Sequence, residues 1–295
     1  SIKASYSRTS QPLHLLSNNG LGLPMDLWIG ISDWIQPIIA DQLAIGFLKN
    51  FNFKNSVYEF SSEAYFKQTK NIICYRDGYS SSYLTNIDNT ISHSTLNEIL
   101  TFGNGTAYGL ELMLEKKEGV FTGWISYTLS KAKNSFAEFE GGTPFNSPYD
   151  RPHNLSIVGN YQLKNNWTFN FTFSLLSGQP FTAPIAIYPW NSFDEHTSKP
   201  NDYYEPATVN PWGNPISAFF NYPKYIYSER NGFRLKTFHK LDIGFRKKLK
   251  SRNNYNHWIE LGAYNLYNRK NTAYGHLQFS GYMQKVEVVS VSLFP

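Results

Sequence analysis

The sequence is short of charge. Asp, Glu, Lys and Arg make up only 17% of its 295 residues, where a soluble globular domain carries about 25%. Hydrophobic residues are also sparse, at 41%. Cysteine is nearly absent: Cys74 stands alone, so no intrachain disulfide forms and the redox compartment is left open. Cys74 reads as a plain buried or loop residue. Long apolar runs are missing too. The nearest, residues 28–48, is interrupted by Asp33, Gln36, Pro37, Asp41 and Gln42. An α-helical membrane span, which needs about 20 consecutive apolar residues, is therefore not expected. Residues 1–9 read SIKASYSRT, without a basic n-region or an apolar h-region, so no secretory leader is read there.

Catalytic and metal-binding signatures are equally scarce. The seven histidines are scattered, with no HExxH arrangement that would hold zinc on one helix face. There is no GxSxG, P-loop or GxGxxG; the GNG at 103–105 is only a loop signal. Asp150 and His153 form the close acid–histidine pair of note, within YDRPHNL. They read as structural: His153 opens a strand, and Asp150 pairs with Arg151 as an exposed ion pair of little energetic weight. No enzyme activity, metal or cofactor is expected. Net charge is +5 and the pI about 9.0. The densest basic cluster, RKKLKSR at 246–252, falls in a turn between two strand-like runs and reads as solvated, so nucleic acid is not an expected partner.

Aromatic residues, by contrast, are abundant: 21 Tyr, 22 Phe and 7 Trp, or 17% of the chain. They fall in runs of strict alternation, the signature of strands with one apolar and one polar face. In residues 108–129, Tyr108, Leu110, Leu112 and Leu114 alternate with Gly109, Glu111, Met113 and Glu115. After a turn at Glu118-Gly119, Phe121, Ile125, Tyr127 and Leu129 alternate with Thr122, Trp124, Ser126 and Thr128. The pattern is cleanest at 154–163 and 167–175, around Asn165-Asn166. Further strands are expected at 2–8, 42–53, 57–67, 238–247, 258–266 and 286–293, about ten in all.

The connections sort by length. Short turns follow residues 53, 117, 164 and 249. Long connections occupy about 10–41, 69–105, 133–152, 178–234 and 268–284. Strict alternation of long and short puts all long loops at one end of a meander, as in an outer-membrane β-barrel. A soluble β-sandwich has no reason to sort its loops. The expected fold class is thus all-β, an antiparallel transmembrane β-barrel with short periplasmic turns and long extracellular loops. Its apolar face would touch outer-membrane lipid. Its polar face, with Glu111, Glu115, Asn154, Asn160, Asn170 and Asp242, would line a lumen. Mean hydropathy of −0.42 is no objection, because half of each strand faces water. Tyr127, Tyr161 and Trp167 read as girdle residues near strand ends.

Several segments carry a family resemblance: SYSRTSQPLHLL at 5–16, LP and W within 23–28, ADQLAIGF at 40–47, GNGTAYGLELMLEKKEGVFTGWISYTLSKA at 103–132, FNSPYDRPHNLSIVGNYQL at 145–163, SLLSGQPFTAP at 174–184 and YNLYNRKN at 264–271. In order and spacing the chain resembles the C-terminal barrel portion of TonB-dependent outer-membrane receptors of the Bacteroidetes type. That resemblance implies a nutrient importer in the bacterial outer membrane: a 22-stranded barrel, a plug in its lumen, and a TonB-type protein that energises it from the periplasm. Residues 1–295 would be a partial barrel domain, about ten of those strands, without the plug or the N-terminal strands. The run 286–293 would be the upper part of a closing strand. A surface lipoprotein lid or other outer-membrane subunits are implied partners. The alternatives are a receptor-like barrel that serves as a non-transporting subunit of a larger outer-membrane complex, and a small stand-alone barrel enzyme or adhesin.

The expected substrate contacts lie in the proline-rich connection 178–234: Trp190, Tyr203, Tyr204, Trp212, Tyr225 and Tyr227. Aromatics on a stiffened loop can stack on sugars or apolar ligands at low entropic cost.

Overall fold

A computed structural model describes residues 1–17, 26–77, 79, 93–189, 223–249, 257–272, 274–279 and 286–291. Along the chain the elements are β1 (Ile2–Gln11), β2 (Leu13–Leu16), β3 (Leu27–Gly30), β4 (Ile38–Phe53), β5 (Ser56–Tyr75), α1 (His93–Ile99), β6 (Leu100–Lys116), β7 (Phe121–Phe136), β8 (Phe145–Asn146), β9 (His153–Gln162), β10 (Trp167–Leu176), β11 (Pro180–Phe181), β12 (Pro184–Pro189), β13 (Pro223–Tyr227), β14 (Phe233–Arg234), β15 (Phe238–Lys248), β16 (Trp258–Ala263), β17 (Tyr274–Phe279) and β18 (Val286–Val291). Among the described residues, no helix is long and apolar enough to cross a membrane.

The fold is all-β and antiparallel, with the layout of a transmembrane barrel wall. Strands β1, β4, β5, β6, β7, β9, β10, β15 and β16 pair in that order, each with its neighbour along the chain; β8 adds a short rung to β7. Every described strand pairing is antiparallel. Nine of the ten expected strands are this path. The tenth differs. β18 pairs with β17 as a separate two-stranded sheet and does not continue the wall among the described residues.

Register places every alternating run in phase. Directly opposed residues share a face, and one row runs Tyr6, Leu43, Phe66, Tyr108. Others run Phe60, Leu114, Ile125, Ile157, Phe173, Leu241, and Phe121, Tyr161, Phe169, Phe245, Leu261. This outer face is apolar and also the more open one. In β4, Leu43, Ile45 and Phe47 are exposed while Gln42, Ala44 and Gly46 between them are half-buried. Leu43 is 57% exposed and Ile125 47%. The inner face carries Glu63, Glu111, Thr128 and Asn154 in one row, and Asn160 opposite Asn170 in another. All six residues expected to line a lumen share it, with Asp242 opposite Thr172 and Glu115 opposite Trp124.

Two of the short turns, 54–55 and 163–166, close as the sequence predicts. Lys54 and Asn55 both have positive φ, as do Asn165 and Asn166. That is the type I′ geometry whose twist matches a tight hairpin, and asparagine adopts it readily. Within the wall, Gly159 leaves room for the Phe171 ring, because a Cβ there would lie 2.3 Å from a ring carbon.

At the other end the strands run further than the alternation suggests. β5 reaches Tyr75 and β6 begins at Leu100, so each enters the span expected as loop 69–105. β7 likewise extends to Phe136. Tyr127 is therefore interior to β7 and not near its end; its hydroxyl bonds His153 Nδ1 at 2.8 Å. Tyr161 and Trp167 do sit at strand ends. A bulge between Thr69 and Ile72, with Asn71 at positive φ, bends β5 as it leaves the wall. Asn71 fixes the bend by donating to the Pro37 carbonyl at 2.9 Å.

Candidate binding site at the long-connection end

Beyond the bulge the long connections build a small scaffold of their own. Leu16 from β2, Ile29 from β3, Ile35, Ile73 and Tyr75 from β5, Ile99 from α1 and Leu100 from β6 form one buried apolar cluster. The β2–β3 hairpin folds over the outgrown end of β5 to make it. His14 is buried beside this cluster. Its Nε2 meets the Gln36 carbonyl at 3.0 Å, so Nε2 carries the proton there and Nδ1 is left without a partner among the described residues. Burial holds His14 below the ordinary histidine pKa, only partly offset by the Gln36 bond.

A second node centres on Asp150, which is 1% exposed. Its carboxylate accepts the Ala132 amide at 2.6 Å and Lys131 Nζ at 3.2 Å, and is paired with the Arg234 guanidinium. Arg234 also donates to the Asp150 carbonyl at 2.8 Å and to the Gly178 carbonyl at 3.2 Å. The expected partner Arg151 is not the one used: Asp150 is buried and held by Lys131 and Arg234. Burial pushes the Arg151 pKa down. Nor do Asp150 and His153 form a dyad, since their hydrogen bonds go to these cations and to Tyr127.

A third node is Arg230. Its guanidinium lies over the Phe139 ring at 3.9 Å, near Phe145 at 5.5 Å, and pairs with Asp77. Its amide donates to Glu140 Oε1 at 3.3 Å. Next to it Asn231 and Asn146 exchange bonds: each side-chain amide donates to the other's carbonyl, at 2.7 and 3.0 Å. Arg76 bridges to Glu138 at 3.1 Å. The connections after β5, β7 and β10 are thus tied to one another by charge-assisted contacts into a frame at the long-connection end.

From this frame β12 and β13 project as a separate antiparallel ribbon. Of the six aromatics expected to touch substrate, Tyr225 and Tyr227 lie on β13, opposite Ile187 and Pro184. Tyr227 is 57% exposed. Trp190, Tyr203, Tyr204 and Trp212 lie outside the described residues. Asp150, Arg230, Asn231 and Arg234 were not foreseen as a unit. Asp150 stood out in YDRPHNL, but Arg234 lies 84 residues on and no spacing rule links the two. Further along, the YNLYNRKN segment caps β16. Asn265 donates its amide to Asp242 at 2.9 Å and holds Arg269 through its side chain, while Asn271 brackets the backbone of His239. Among the described residues, no three His, Cys, Asp or Glu side chains are grouped to hold a metal ion.

No family model and no curated protein matches the sequence. Among solved structures the chain is similar to the outer membrane transporter YddB from Escherichia coli, with 12% identity and a TM-score of 0.49. The likeness covers 92% of this chain and 35% of that one, so the chain spans about a third of the transporter's length.

Proposed function

We propose that the chain is barrel wall from a TonB-dependent outer-membrane receptor of the Bacteroidetes type, which imports a nutrient across the outer membrane. The observation that carries this reading is the two-faced sheet. Its apolar residues share the open face over nine in-phase strands, and its connections are long at one end and short at the other. In water so broad an apolar face would invite aggregation; in a bilayer it meets hydrocarbon. The outer edges of β1 and β16 are unpaired among the described residues. Unpaired backbone groups are costly in lipid, so the reading calls for further strands to close the barrel, to a total of about 22. In this account the framed long connections capture the solute outside. A plug in the lumen, moved by a TonB-type protein drawing on the inner-membrane proton gradient, then releases it inward.

Intact mass of the denatured protein from its native membrane tests the larger-barrel part. A mass roughly two to three times that of this chain, as 22 strands and a plug require, supports it; 33.9 kDa contradicts it. Uptake tests the transport part. Deleting the protein should abolish uptake of one class among siderophores, haem, cobalamin, glycans and peptides, and loss of the energising protein should do the same. Stable association with other outer-membrane proteins and no uptake defect would instead make it a structural subunit.

A further inference from the structure

The outer face is not uniformly apolar. At its short-turn edge, lysines stand over aromatic rings: Lys54 over Phe53 at 5.5 Å, Lys116 over Tyr58 at 6.0 Å and Lys247 over Trp167 at 5.1 Å. Register puts Phe53, Tyr58, Lys116, Trp167 and Lys247 on the outer face, in rows next to the short connections, and Lys54 lies in the turn that follows Phe53. Acids of the same strands point the other way. Glu59 opposes Glu115 on the inner face, and Glu260 opposes Arg246 there. These inner acids take their own cations, Lys117 at 2.7 Å from Glu59 and Arg246 at 2.8 Å from Glu260. Among the described residues, Lys54, Lys116 and Lys247 have no carboxylate partner. Nearer the long connections, Arg8 pairs with Asp41 at 2.6 Å and Lys131 with Asp150, while Lys70 and Lys133 have neither a carboxylate nor a ring partner among the described residues.

We propose that the short-turn edge of the outer face is a docking belt for anionic phospholipids. The acyl chains lie on the apolar band, and the headgroup phosphates sit among Lys54, Lys116 and Lys247. Three things on the molecule select this occupant. The belt is continuous with the apolar band, so the partner must offer hydrocarbon and anion together. At this edge the strand acids Glu59, Glu115 and Glu260 face inward, and the outward charges of the paired rows are cations. Each ammonium is held over an aromatic ring, and aromatic rings and lysine side chains settle together at a membrane–water boundary. The proposal rests on the outer-membrane reading above and adds which lipid chemistry the short-turn leaflet supplies.

The test uses the intact protein, reconstituted in bilayers with equal phosphatidylglycerol and phosphatidylcholine, and weighs the lipids retained by native mass spectrometry. Each lysine near an anionic surface is worth roughly a fivefold preference. Phosphatidylglycerol should therefore be enriched by at least about tenfold, and the enrichment should vanish in K54Q/K116Q/K247Q. It should survive in K54R/K116R/K247R, which keeps the charge, and in K70Q/K133Q at the other edge. Insertion with no lipid preference, or a preference the triple glutamine variant keeps, would overturn the belt and leave the membrane reading standing. Failure to insert in either lipid would overturn both.

Discussion

Arg234, at the far end of the longest connection, closes on Asp150, the buried carboxylate that ends the connection before it. Asp150 also fixes Lys131 and the Ala132 amide, so one side chain ties β7, the segment leading into β9, and the segment leading into β15. Removing it strands two cations that are each about a third exposed, and both can turn to water. Asp150→Ala should therefore cost roughly 3 kcal/mol, at the lower end for a broken buried pair. The loss should be confined to the long-connection end. Limited proteolysis should cut within 133–152 and 228–235, while heat-resistant barrel migration persists. Arg234→Gln should show a weaker form of the same pattern.

Gly159 sits opposite Phe171, whose ring occupies the space a side chain would take. Gly159→Ala puts a methyl into the aromatic ring and forces Phe171 out of place. Overpacking of this kind costs about 1–3 kcal/mol, read as a shift in the unfolding midpoint in denaturant. Ser156→Ala, on the inner face of the same strand, should change the midpoint little.

Neighbouring residues of β7 should respond in opposite ways to charge. Ile125 is on the outer face and Ser126 on the inner face. Ile125→Arg should cost about 2–4 kcal/mol of folding into bilayers, the range for arginine near the midplane of a barrel wall. Ser126→Arg should fold with nearly wild-type yield. Equal effects would mean that the two faces share one environment.

His14 gives the loop scaffold a pH dependence. Its folded pKa is depressed by burial, so between the folded value and the unfolded value near 6.5 the unfolded segment binds the extra proton. Stability contributed by this site is full above the unfolded pKa. It falls as pH drops below it, because protonation must put a charge on the buried, unpartnered Nδ1. Proteolytic protection of 13–37 should decrease from pH 7.5 to pH 5, and His14→Phe should flatten that profile.

What the sequence made legible follows from period two. Where one face meets an apolar phase and the other a polar one, every residue reports its side, and 154–163 and 167–175 read off directly. Beyond the bulge at Asn71 both sides of β5 are covered by other parts of the chain, so Ile73 and Tyr75 are buried without alternating with polar partners. The upper ends of β5 and β6 therefore looked like loop. Underestimating β7 in the same way moved Tyr127 to a false strand end. α1 has seven residues and no acidic residue in its first turn to announce it. The loop frame was invisible for another reason. Contacts such as Asp150–Arg234 and Asn146–Asn231 span some 85 residues, and a single sequence holds no signal for such pairs.

The central claim is that one face of the wall meets lipid and the other a water-filled interior. Single cysteines at positions 121–130, introduced one at a time in a Cys74→Ser background of the intact protein and labelled with a nitroxide, test it most directly. In bilayers, oxygen dissolved in hydrocarbon should relax labels at 121, 125, 127 and 129 most strongly. A water-soluble nickel chelate should relax those at 122, 124, 126 and 128. That alternation over β7 is the account's result; water access at both faces, or at neither, would contradict it.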